Sequence, residues 1–387
     1  MLDNSPDALR VGLFSNIYRP ILSGVVNSID LLRKELLNQG HCPFVFAPQV
    51  PGYREAHSGV WRFPSFPLSS KVNYPVAVPC WPPTHYAISQ SRLGVLHTHH
   101  PFWLGEVAWM WSRLQRIPLV YTFHTQYEKY CHYIKLPQRP LRALTRWAVK
   151  GFAQRCDLII APSPAIREVM REYGITTWTE TLPNAIDLER FQPSGDRQLL
   201  RKKLGWPLHT PIAIYAGRLG QEKNLPFLLQ AFRQVEGAHL ALVGDGTELP
   251  RLRQLAQELG MQDRVIFVGA AAYPDMPNYY AAADFFCMAS TTEVKPLVVL
   301  EALASQLPVV AVSAFGTADT VSHGQDGLLT SERLEDFAAA CSSLCSDPSL
   351  RQRLAAQAGR SAEEFSIEKY TLRLVELYRE ANRRVRG

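Results

Sequence analysis

The chain has 387 residues, 47% of them hydrophobic and 20% charged, and a formal net charge of +6. This is the composition of a globular protein long enough for two domains or slightly more, and it excludes a disordered or fibrous chain. No apolar run approaches the roughly 18 to 20 residues of a spanning helix, and the N-terminal MLDNSPDALR has no basic-then-apolar leader pattern, so a soluble or peripheral protein is expected.

Seven cysteines lie between Cys42 and Cys345 with no CxxC pair, which suits reduced thiols in the cytoplasm. Residues 1–190 carry 20 Lys and Arg against 13 Asp and Glu, a net of +7, whereas the remainder carries 21 against 22, a net of −1. A basic half fits nucleic acid, an anionic membrane surface, or solubility alone. No aromatic-basic groove motif accompanies it, so nucleic acid is not expected.

Residues 9–15 (LRVGLFS) read as a strand, 16–24 as a loop ending in Ser23-Gly24, and 25–37 as a helix closed by Gly40. Backbone N–H groups and the helix dipole then point at whatever the loop holds, and a phosphate is the natural occupant. A second strand is expected over 41–47, and the Pro-rich, aromatic stretch 48–83 is expected to be irregular surface structure. Residues 93–98 form a strand ending in His97-Thr98-His99-His100, where the lack of an HExxH pattern or a distant Cys/His partner argues against a metal site. A helix over 101–115 bears Trp103, Trp109 and Trp111, and a strand over 118–123 leads into His124-Thr125. Strand ends face the ligand crevice in open α/β sheets, so these histidines are either ligand-facing or satisfied core groups.

Residues 139–155 (RPLRALTRWAVKGFAQR) read as a basic amphipathic helix, with Arg139, Arg142, Arg146 and Lys150 at spacings of three and four, and Leu141, Leu144, Trp147, Ala148 and Phe152 opposite. It suits an anionic membrane, each cation contributing up to about 1 kcal/mol, or an ordinary surface helix whose apolar stripe packs inward. A strand over 156–161 and turn residues over 182–187 close this half. A linker is expected over 192–211, where prolines and Gly195 interrupt any long element.

The second half repeats the alternation. A strand over 212–216 runs into Gly217-Arg218-Leu219-Gly220, and Glu222-Lys223-Asn224 opens a helix over 225–235. Arg218 and Lys223 can reach one oxyanion across this turn, an arrangement that favours a phosphate between them. Strands over 239–243, 265–269, 284–288 and 309–312 follow, the first ending in Gly244-Asp245-Gly246, and together they predict a doubly wound parallel sheet. Residues 291–311 (TTEVKPLVVLEALASQLPVVA) place Glu293 on a loop and Glu301 on a short helix entered at Pro296. A last helix is expected over 367–386.

Gly217-Arg218, Lys223-Asn224, Gly244-Asp245-Gly246, Ala283-Asp284 and the spacing of Glu293 to Glu301 together resemble the fourth family of retaining glycosyltransferases, which have the GT-B fold. Gly24 and His124 fit as well, and YTFHTQYEKYCHYI with RPILSGVVNSI resembles the diacylglycerol glucosyltransferases. The resemblance implies two Rossmann-like doubly wound domains facing a cleft: an acceptor domain over 1–192, a nucleotide-sugar domain over 207–365, and a helix over 366–387 crossing back to the first. It implies a nucleotide sugar, UDP-glucose, as co-substrate, no cofactor and no metal, a lipid or glycan acceptor, and a place on the cytoplasmic face of a membrane. Arg218 and Lys223 would hold the diphosphate, Glu293 and His124 would contact the donor sugar, and Glu301 would accept from the ribose hydroxyls. Gly24, Gly217, Gly244 and Val298 would line the donor site. His99, Trp103, Arg142, Arg146, Trp147 and Lys150 would serve the acceptor or the membrane. Relatives commonly carry Thr/Gly-Gln/Phe-Gly after the first glutamate. Here Val294-Lys295-Pro296 adds a cation and removes an N–H.

Overall fold

Short apolar runs, each followed by an amphipathic segment, build two parallel sheets. The computed structural model describes residues 7–21, 23–69, 72–133, 136–193 and 195–387. Residues 1–6 of the polar N-terminal stretch, Leu22 and Ile134 of the motif segments, and Ser194 of the expected linker lie outside the described residues.

The first run comprises β1 (Arg10–Phe14), α1 (Gly24–Asn38), β2 (Cys42–Pro48), β3 (Val60–Phe63), β4 (Ser65–Ser69), β5 (Val72–Ala77), α2 (Pro82–Gln90) and β6 (Val95–Thr98). It continues through α3 (Leu104–Gln115), β7 (Leu119–Thr122), α4 (Gln138–Ala153), β8 (Leu158–Ala161), α5 (Pro164–Glu172) and β9 (Thr179–Thr181). The second begins with α6 (Leu188–Phe191), α7 (Arg197–Leu204), β10 (Ile212–Ala216), α8 (Leu225–Arg233), β11 (His239–Val243), α9 (Leu249–Glu258), β12 (Val265–Gly269) and α10 (Met276–Ala282). It ends with β13 (Phe285–Met288), α11 (Leu297–Ala304), β14 (Val309–Val312), α12 (Phe315–Ala318), β15 (Gly327–Thr330), α13 (Leu334–Ser346) and α14 (Pro348–Ala362), before a final helix, α15 (Ile367–Arg386).

The chain divides into two compact units, the second spanning Ala185–Ser366 and the first taking in the rest. In the first, the strands run in the order β3-β2-β1-β6-β7-β8-β9, and in the second β12-β11-β10-β13-β14-β15; all the pairs in both sheets are parallel. Parallel sheets are covered on both faces, which is why IAIYA, FFCM and VVAV are buried along their whole length. Each order reverses once, between β1 and β6 and between β10 and β13. Ligands of open α/β sheets bind beyond the strand ends at such reversals. The final helix belongs to the first unit, where Leu374, Val375, Leu377 and Tyr378 join Val11, Leu13 and Val120 in one core.

Two expectations are corrected. The stretch 48–83 is ordered: β3 pairs with β2, β4 and β5 form an antiparallel ribbon with Pro67 opposite Pro75, and α2 begins at Pro82. Its prolines hid this because a two-stranded ribbon has outward N–H positions at which proline breaks no ladder bond. The expected linker carries α7, capped by the Asp196 side chain and ended by Gly205 in the left-handed region. Arg201 anchors it, donating from buried surroundings to Asp284 Oδ2 at 2.5 Å and to the Ala282 carbonyl at 2.8 Å.

Candidate active site

At the β10–β13 reversal the backbone is set by glycines. Gly217 and Gly244 have φ of +138° and +144°, and a Cβ on Gly244 would fall 1.9 Å from the Gly217 carbonyl oxygen. The two strand ends therefore lie backbone against backbone, and Leu219 N donates to Asp245 O at 2.9 Å. The Tyr215 hydroxyl donates to Arg218 O at 3.1 Å, which fixes where the Arg218 side chain starts. Gly244→Ala is expected to lower stability by about 1–3 kcal/mol, read as a lower unfolding midpoint.

The Arg218 guanidinium donates to Glu222 Oε1 at 2.6 Å, the arginine half exposed and the carboxylate 3% exposed. Lys223, in a 3-10 turn, Gln221–Lys223, pairs with Glu293 Oε1, to which Ser290 Oγ also donates at 3.2 Å. Ser290 Oγ lies 3.0 Å from the Glu222 carbonyl as well, so the turn after β10 and the loop after β13 are stitched together. Each of the two cations expected to face an anion is thus held by a carboxylate of its own unit. Glu222 escaped sequence reasoning, although its place four residues after Arg218 is a signal that could have found it.

Pro296 occupies the position just before α11, and Glu301 sits within that helix. The Glu293 loop is pressed onto the backbone of α12: a Cβ on Gly316 would lie 2.5 Å from Glu293 O and 2.7 Å from Val294 O. Lys295 does not add a cation to the site. Its side chain is buried, donating to the Asp319 carbonyl at 2.8 Å with Nζ 4.6 Å from the centre of the Phe365 ring, and burial lowers its pKa to about 8. Glu301 is buried too. It accepts from Tyr280 Oη at 2.7 Å and from the Tyr273 hydroxyl, near Arg190. Burial raises its pKa to about 7 against the opposing pull of those two hydroxyls and Arg190. Val298, half-buried one helical turn earlier, has its carbonyl 3.5 Å from the same Tyr280 hydroxyl.

In the first unit, Ser23 caps α1 by accepting from Val25 N at 3.3 Å, and Gly24 is the first helical residue. Beyond β1, β6 and β7 the histidines meet. His99 Nδ1 and His124 Nε2 are 2.9 Å apart, and His97 stacks on His99 with centroids 4.4 Å apart. His97 is satisfied by Tyr378 Oη at 2.6 Å and Thr122 Oγ1 at 2.7 Å. His100 Nδ1 accepts from Asn16 N at 3.3 Å. His99, expected toward the acceptor or membrane, is 2% exposed, and its Nε2 has no hydrogen-bond partner among the described residues. Burial first, then neighbouring imidazoles, lowers His97 and His100 to about 3 and His99 well below its usual value; burial alone lowers His124 to about 4.

These histidines stay neutral when an unfolded chain would protonate them near pH 6.5. Unfolded molecules bind more protons below that value, so acidification from pH 7 toward 5 is expected to destabilise the fold by up to about 1.4 kcal/mol per histidine per pH unit. A thermal unfolding midpoint that stays flat over that range would contradict the neutral cluster.

The basic helix α4 divides its apolar residues. Val149, Phe152 and Ala153 are buried, while Leu144 and Trp147 are 59% and 71% exposed among exposed Arg139 and Arg142. Its charges also divide: Arg146, though exposed, reaches Glu128 at 3.9 Å and covers the Tyr173 ring, and Lys150 is half-buried. Trp103 stands exposed at the start of α3 with φ of +46°, a strained conformation for an aromatic residue. Among the described residues, no helix is long and apolar enough to cross a membrane.

Compared with known proteins, residues 22–190 match Glycosyltransferase Family 4 and residues 196–361 match Glycosyl transferases group 1. The chain is 32% identical to an alpha-monoglucosyldiacylglycerol synthase of Streptococcus pneumoniae, over 96% of this chain and 86% of that protein. It is 26% identical to the protein of the same name from Acholeplasma laidlawii, over 96% of each. Among solved structures it is similar to a sucrose-phosphate synthase from Thermosynechococcus elongatus, with a TM-score of 0.82 at 22% identity, covering 96% of this chain and 98% of that one.

Proposed function

This chain belongs to glycosyltransferase family 4 and has the GT-B fold, and on that premise we propose that it moves glucose from UDP-glucose to a diacylglycerol-type lipid at an anionic membrane surface. Configuration at the sugar is retained and no metal ion takes part. The observation that carries the reading is the cluster of Arg218, Lys223 and Glu293 at the strand-order reversal of the second unit. Relatives named for glucosylating diacylglycerol supply the sugar and the acceptor class, and exposed Leu144 and Trp147 beside Arg139 and Arg142 supply the membrane face.

The donor diphosphate takes the two cations from Glu222 and Glu293, which frees Glu293 to accept from hydroxyls of the sugar. As the glycosidic C–O bond breaks, negative charge grows on the departing phosphate, where fixed cations stabilise it more than they stabilised the bound donor. The phosphate oxygen takes the proton of the lipid hydroxyl, and that hydroxyl bonds to the sugar carbon on the same face. Neutral histidines suit such chemistry, because an uncharged imidazole can bond a hydroxyl without setting a cation beside an ion-like sugar. Glu301 accepts from the ribose hydroxyls.

A matrix of nucleotide sugars against acceptors tests the reading. UDP-glucose with diacylglycerol in anionic vesicles is expected to give the fastest transfer, unchanged by EDTA. Faster transfer to a soluble sugar or sugar phosphate, or from GDP-mannose or UDP-galactose, would replace the proposed acceptor or donor. UDP binding with no transfer to any acceptor would make the chain a binding module.

A further inference from the structure

Glu301 is the one ionisable side chain on α11, and its surroundings are more specific than burial requires. Tyr280 comes from α10, and Tyr273 from a 3-10 turn, Tyr273–Asp275. Both rings meet Phe191 edge-on with centroids 5.8 Å apart, so neither phenol is free to swing away. The Arg190 guanidinium lies 5.2 Å from the centre of the Tyr273 ring and 3.8 Å from Asp187 Oδ2. The ionisable groups that act on Glu301 are thus Tyr273, Tyr280 and Arg190, the last with Asp187 behind it. The cluster beside it, Val299, Leu300, Leu303 and Phe191 among others, is apolar, so an apolar residue here would have packed without burying a charge.

We infer that Tyr273 and Tyr280 are positioning residues for the nucleotide: their hydroxyls, donated to the Glu301 carboxylate, fix which of its lone pairs remain for the ribose diol. A carboxylate offers about four acceptor positions. Two phenol donors fill two of them, leaving two for vicinal hydroxyls. Protonation would turn one acceptor into a donor and spoil the match. Burial pushes the Glu301 carboxyl up to about 7, so donor affinity rises with pH through the neutral range. Losing a phenol donor raises that midpoint further, because a hydrogen bond to the charged form has gone. The inference rests on the assignment of Glu301 to the donor nucleoside.

The test is calorimetric binding of UDP-glucose between pH 5.5 and 8.5. This probe is used because its diphosphate is esterified at both ends and does not titrate there. The variants are Tyr273→Phe, Tyr280→Phe, Glu301→Gln and the double variant Tyr280→Phe/Glu301→Gln. Wild-type affinity is expected to rise through about pH 7, and in each Phe variant the midpoint moves up by roughly one pH unit. Binding at pH 7 is then roughly fivefold weaker and largely recovers by pH 8.5. In the Glu301→Gln background the pH dependence is absent and Tyr280→Phe adds nothing. A loss that is equal at every pH, or one that persists in the Gln background, would overturn the inference and leave the tyrosines as packing residues. No binding by wild type at any pH would overturn the donor assignment and this inference with it.

Discussion

Arg218→Ala is expected to lower turnover by roughly 100- to 1,000-fold, the usual effect of removing one preorganised donor from a developing oxyanion. Its guanidinium is half exposed, so little packing is lost. The complication is Glu222, whose 3%-exposed carboxylate loses a partner at 2.6 Å. A buried carboxylate stripped of a hydrogen bond costs about 1–3 kcal/mol, so the single variant should also melt a few degrees lower. The double variant Arg218→Ala/Glu222→Gln separates the two effects, because it also removes the buried charge that Arg218 served. Its unfolding midpoint should return toward that of the wild type while turnover stays low. Recovery of turnover along with stability would mean that Arg218 serves the fold alone.

The second large effect concerns α4. Arg139, Arg142 and Trp147 are exposed, and Arg146 is left out of the variant because it reaches Glu128. Two cations near anionic lipid contribute about 1 kcal/mol each, and an interfacial tryptophan adds a comparable anchor. The triple variant Arg139→Ser/Arg142→Ser/Trp147→Ser is therefore expected to bind anionic vesicles roughly 100-fold more weakly. Sedimentation with vesicles measures this, and unchanged UDP-glucose binding shows that the fold survives. Vesicle binding that ignores both lipid charge and these substitutions would refute the membrane face.

Much of this architecture is legible in the chain because parallel strands buried on both faces are continuous apolar runs. The ends of β10, β11 and β13 can be read directly, and Gly217, Gly244 and Glu293 follow from them. What is not legible depends on direction or on distance along the chain. Whether Lys295 points toward Glu293 and the turn after β10 or back toward Asp319 is decided by side-chain direction, which the sequence does not encode. Tyr280, which donates to Glu301, lies 21 residues upstream, and Tyr378 reaches His97 across 281 residues. Helical spacing groups Leu144 and Trp147 with Phe152 on one face, and only packing shows that Phe152 turns inward while the other two stay outside. Proline hid β4 and β5, since its usual meaning is a break and its meaning in a ribbon is tolerance.

The most direct measurement is the structure of the product formed from UDP-glucose, labelled with carbon-13 in the sugar, and diacylglycerol in anionic vesicles. Proton-carbon NMR of the extracted lipid is predicted to show a single glucosyl diacylglycerol with the α configuration of the donor retained, formed by the wild type and not detectably by Arg218→Ala. A β-linked product, or UDP release with the label recovered only in water-soluble sugar, would contradict the account.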